Sequence, residues 1–176
     1  MDKKKIKKII ISLIPIILVI LMIFKLSSMN TNNSNSASTD IIGIFIEDTL
    51  NVTNKYNITS SYPTKNKIKR ASSLLNPPLR KVAHASVYLL LAILIIIFVN
   101  NLYKNNKYIK SSIITIMAVF ILASLDEFHQ TFVAGRTGQF KDVIIDCIGA
   151  LIGIIIYGTY YLAYRRGIKR GLKEKN

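Results

Sequence analysis

The sequence predicts an all-α membrane protein with four transmembrane helices. Three observations predict it. Hydrophobic residues make up 51% of the 176-residue chain, and they lie in long blocks. The 24 Lys and Arg residues cluster where those blocks end, as cations do where a span meets headgroups and water. The net charge of +15 is not spread along an amphipathic face with exposed aromatics, so nucleic acid is not the expected partner. The lipid bilayer is. The single Cys147 excludes an intrachain disulfide and sits in an apolar run, where it packs as a small hydrophobe.

The first element is an anchor over residues 1–26. A basic leader, MDKKKIKK, precedes the apolar run Ile9–Phe24. The following KLSSMNTNN has no small-x-small cleavage site, and the Ser36-Ala37-Ser38 triplet lies far from the apolar run, so the segment reads as uncleaved. Pro15 is a candidate kink. Residues 27–75 form an extracytoplasmic segment. Its first part, SSMNTNNSNSASTD, is a polar linker with no means to build a core. Within it, Ile41, Ile42, Phe45, Ile46 and Leu50 recur at roughly helical spacing, predicting an amphipathic helix over 41–51, with a short strand as the alternative.

Residues 76–164 form a three-helix core. Asn76 is the expected N-cap of the second span, with Pro77 and Pro78 in its first turn. Its apolar part runs to Val99, and a basic loop follows at 103–110. The third span starts near Ser111. It is plainly apolar only to Leu125, which is short of the roughly 20 residues a bilayer needs. Its helix is therefore expected to continue through DEFHQTFV. A Gly-rich turn, AGRTGQFK, leads to the fourth span, Asp142–Tyr164. Residues 165–176 are a basic tail. The leader, the 103–110 loop and the tail carry 14 of the 24 cations, so both termini are expected in the cytoplasm.

That topology gathers the polar residues at one level near the outer face. Lys81, His84 and Tyr88 form one helical stripe. Asp126, Glu127 and Gln130 share the end of the third span. Asp142, Asp146, Gly149 and Gly153 form a stripe on the fourth, and its GxxxG admits a close neighbouring backbone. With Arg136 in the turn above, these side chains predict a ligand-binding cluster of Lys81, His84, Tyr88, Asp126, Glu127, Gln130, Arg136, Asp142 and Asp146. His129 is expected off to the side. Ionisable groups at membrane depth are costly unless paired, which makes them functional candidates. The blander alternative is a plug in which cations and carboxylates only hold three helices together. No HExxH, paired-Cys, P-loop or Gly-x-Ser-x-Gly motif occurs, so neither a metal nor another cofactor is expected.

In their order and spacing, RKVAHASVY, DEFHQ, AGR and DVIIDCIGALIG resemble the VanZ-like family over roughly residues 78–160. That family consists of small bacterial membrane proteins. Its namesake is linked to low-level resistance to the glycopeptide teicoplanin. The family often has Asn where this chain has Asp146. The resemblance implies a cytoplasmic-membrane protein of the bacterial envelope. Three functional readings follow. One is a pocket for a lipid-linked precursor or an anionic headgroup. Another is a membrane enzyme using Asp126, Glu127 and His84 for acid–base chemistry. The third is a small proton-coupled carrier, although four spans with no inverted repeat are few for one.

Overall fold

The computed structural model describes residues 3–28, 39–49, 51, 65–103 and 108–173. They form helices α1 (Lys3–Ser27), α2 (39–49), α3 (Lys65–Leu102), α4 (Tyr108–Gln130) and α5 (Phe140–Lys173), with no strand among the described residues. All but α2 are long and apolar enough to cross a membrane. Leu50, linker residues 29–38 and loop residues 104–107 lie outside the described residues.

Three boundaries differ from the sequence reading. Helix α3 begins at Lys65, so Asn76 is not its N-cap and both prolines lie inside it. Pro77 and Pro78 cannot bond the carbonyls four residues back, which ordinarily ends a helix. Here the upstream turns are held by packing. Ser72 and Asn76 are buried, and Asn76 Nδ2 donates to Thr39 Oγ1 of α2 at 3.1 Å. Helix α4 stops at Gln130 instead of continuing through Val133. The N–H groups of Thr131, Phe132 and Val133 bond three residues back, each at 3.1 Å, which tightens the chain into turns. Gly135 then takes φ 77°, a left-handed backbone that glycine adopts without a Cβ clash. Helix α5 runs on through most of the basic tail to Lys173. Helix α1 passes through Pro15 as one element.

The core is a seam between the spans. Helix α3 buries Tyr88, Leu91, Ala92, Ile95, Ile96 and Val99, a repeat of three and four residues that makes one face. It packs most extensively on α5, α4 lies against both, and among the described residues α1 sits against α3 and α4. Gly149 and Gly153 meet α3. A Cβ at either would overlap a backbone carbonyl oxygen, of Ala85 or Leu89 respectively. The glycines thus let the two backbones approach as the sequence stripe implies. Ile113, Met117, Phe120, Ile121 and Leu125 of α4, and Ile144, Ile148, Ile152, Ile155 and Ile156 of α5, point outward and are exposed. An apolar exterior of this extent suits lipid, not water.

The buried face of α4 shows how the site is positioned. It reads Ser111, Thr115, Val119, Ala123, Asp126, Glu127, Gln130. The middle is apolar and both ends are polar. The carboxylates thus lie at one end of the bundle, away from its dry centre.

A polar pocket at one end of the bundle

The end of α1, the first half of α3, the end of α4, the 131–139 turn and the start of α5 meet at one level. Successive spans therefore run in alternating directions. Between them lies an open cavity of about 210 Å³. Of the nine residues expected to form the cluster, Lys81, His84, Glu127, Gln130, Arg136, Asp142 and Asp146 line it. Tyr88 and Asp126 do not. Both are fully buried at 0% exposure beneath it, because their positions on the stripes fall deeper in the bundle. His129 faces α1, where its ring packs edge-on against Phe24 at 5.7 Å.

Gln130 organises the pocket. Its Nε2 donates to Asp126 Oδ2 at 3.1 Å and to Glu127 Oε1 at 3.0 Å. Its Oε1 accepts from Arg136 Nη1 at 3.4 Å. One amide thus joins two carboxylates below to a guanidinium above, using both its donor and acceptor ends. Glu127 also takes the Gln139 backbone N–H on Oε2 at 2.8 Å, which ties the turn down onto α4. Both Glu127 oxygens are therefore occupied, and the arrangement suits a carboxylate that holds structure more than one that shuttles protons. At the rim, Lys81 Nζ donates to Asp142 Oδ1, joining α3 to α5.

Arg136 is bonded differently. Its two contacts, Gln130 Oε1 and the Leu26 carbonyl at 3.3 Å, are both neutral oxygens. Among the described residues it has no carboxylate pair. Burial, then the like charge of Arg80, lower its pKa from the ordinary arginine value. It remains a cation at neutral pH. Arg80 lines the same cavity.

The sequence reading left several participants out. Ser27 was assigned to the linker, yet it is fully buried beside Asp126. The Leu26 carbonyl binds Arg136. Its only sequence signal is its place at the end of an apolar helix, where carbonyls lack partners. Arg80, weighed in the sequence only as a cation of the plug and not in the ligand-binding set, lies on the pocket face as its place four residues before His84 implies. A second polar cluster at the opposite end of the bundle was also unforeseen. Ser111 Oγ donates to Asn100 Oδ1 at 2.6 Å, Asn100 Nδ2 donates to Tyr157 Oη at 3.1 Å, and Tyr108 Oη donates to the Ile154 carbonyl at 2.9 Å. These groups satisfy one another and leave nothing directed at a ligand.

Four apolar helices around a charged cavity define a multi-pass membrane protein with a polar pocket in one end of its bundle. The family model for VanZ/LLP1 matches residues 12–162, and the chain belongs to that family. The match takes in α1 from residue 12, so it is wider than the 78–160 resemblance and includes the helix that delivers Ser27. No curated protein and no solved structure matched the chain.

Proposed function

We propose that the pocket opens to the outer face of the bacterial cytoplasmic membrane and binds the anionic headgroup of an envelope lipid or lipid-linked precursor. The observation that carries this reading is that Arg80 and Arg136 line one open cavity. Their guanidinium forks suit phosphate and carboxylate oxygens. Lys81 adds a third cation at the rim. Its pair with Asp142 is 43% and 29% exposed, so it opens at small cost when a stronger acceptor arrives. The lipid-type exterior around the pocket supports a ligand that is itself part of the membrane.

The family membership adds a cellular expectation: cells carrying this chain tolerate more teicoplanin than cells without it. Two measurements test the proposal. The delipidated protein, titrated with anionic and zwitterionic phospholipids under native mass spectrometry, should retain the anionic lipids preferentially. An Arg136→Ala, Lys81→Ala double variant should lose that preference while keeping its helicity. Growth under teicoplanin should fall in step. Equal retention of both lipid classes by the parent protein would remove the anion reading.

A further inference from the structure

Beneath the pocket lies a buried cluster that shares Asp146 with the pocket lining. Ser27 from α1, Tyr88 from α3 and Asp126 from α4 are each at 0% exposure, and Asp146 from α5 closes the group at 2%. Among the described residues, Ser27 Oγ, Tyr88 Oη and Asp126 Oδ1 have no hydrogen-bond partner of good geometry. Ser27 Oγ lies beside the Asp126 carboxylate. Tyr88 lies within electrostatic reach of both aspartates. Native proteins seldom leave buried polar atoms bare, and three such atoms on three packed helices point to an occupant. The charges agree. Among the described residues, neither Asp126 nor Asp146 is in an ion pair. A buried carboxylate without a compensating cation either takes up a proton or gains a bound ion. The candidate cations nearby, His84 and Arg136, line the pocket above.

We propose that Ser27, Tyr88, Asp126 and Asp146 form a buried binding site, at the floor of the pocket, for one monovalent cation of the Na⁺ type. Every donor is oxygen, two carboxylates with an alcohol and a phenol, which is a hard set. Only two of the four are carboxylates, a lower charge than the acid-rich oxygen sets that hold calcium tightly. Two hydroxyls complete the shell without adding charge. The site draws on all four spanning helices, so an ion there ties α1 to the other three. It also reaches the pocket, since Asp126 holds Gln130, and Gln130 holds Arg136. The site does not depend on what the pocket binds, and its failure leaves the anion reading standing.

The test uses the full chain, purified in neutral detergent without sodium. Thermal unfolding is followed by far-UV circular dichroism in NaCl, KCl and choline chloride at one ionic strength. Sodium should raise the midpoint saturably above choline, since a ligand of the native state stabilises it by mass action. Ser27→Ala and Tyr88→Phe each remove one unbonded oxygen. Each should raise the sodium concentration for half-effect about tenfold, the worth of one ligand contact. Asp126→Asn should abolish the response. If that variant does not fold, the two hydroxyl variants decide. Equal stabilisation by choline, or a sodium response unchanged in Ser27→Ala and Tyr88→Phe, overturns the proposal. So does a midpoint that follows pH and ignores sodium.

Discussion

Glu127 joins the pocket to the turn above it. One carboxylate oxygen takes the Gln130 amide and the other takes the Gln139 backbone N–H. It is only 7% exposed, so water does not readily replace a lost partner. Glu127→Ala should therefore cost about 1–3 kcal/mol in unfolding free energy, the range for stranding a buried hydrogen-bonding group. Limited proteolysis should show faster cutting between 131 and 139 than in the parent. Glu127→Gln is the sharper variant. It keeps one acceptor but presents an NH₂ where the parent offers an oxygen to either Gln130 or Gln139. It should recover only part of the loss, whereas full recovery would show that one bond suffices. Helical spacing alone places Asp126, Glu127 and Gln130 on one face. The bond to Gln139 was not legible, because it depends on a turn that brings residue 139 back over residue 127, and no periodicity encodes that return.

At the scale of elements, the tightest constraint is the crossing of α5 on α3. The GxxxG spacing makes a close approach legible, but a period names a face and not the neighbour that meets it. The structure supplies the neighbour: the carbonyl oxygens of Ala85 and Leu89, themselves four residues apart. Backbone cannot yield as a flexible side chain can. Gly149→Ala and Gly153→Ala should each cost about 1–3 kcal/mol through overpacking, read as a lower thermal midpoint in detergent. Gly167, on the same helix, has nothing within 4 Å of a would-be Cβ. Gly167→Ala should instead be neutral or add up to about 1 kcal/mol from helix propensity. Equal losses at all three positions would mean that helix α5 itself, and not its crossing, is what the glycines serve. The start of α3 was illegible for a different reason. Two consecutive prolines read locally as a helix entrance, whereas the burial of Ser72 and Asn76 and the bond from Asn76 to Thr39 of α2 are tertiary contacts that hold the turns before them.

For the whole molecule, the blocks of apolar sequence made four spans legible, because lipid demands length and hydrophobicity whatever the partners. The role of α1 was not legible at that scale. It read as a separate anchor, yet it places Ile16 and Ile23 in the core and Ser27 beneath the pocket. The remaining question is which way the bundle faces, and the charge distribution answers it with a prediction. Fourteen of the 24 cations fall in the leader, the 103–110 loop and the tail. Alternating spans place those three segments at the end away from the pocket. Short basic segments stay in the cytoplasm, so the pocket should open outward. In a Cys147→Ala background, Ser34→Cys should react with a membrane-impermeant maleimide on intact cells. Gly171→Cys should react only after permeabilisation. The opposite pattern would turn the pocket toward the cytoplasm. The rim cations Arg80, Lys81 and Arg136 would then face cytosolic anions, and an outer-leaflet headgroup could not be the ligand.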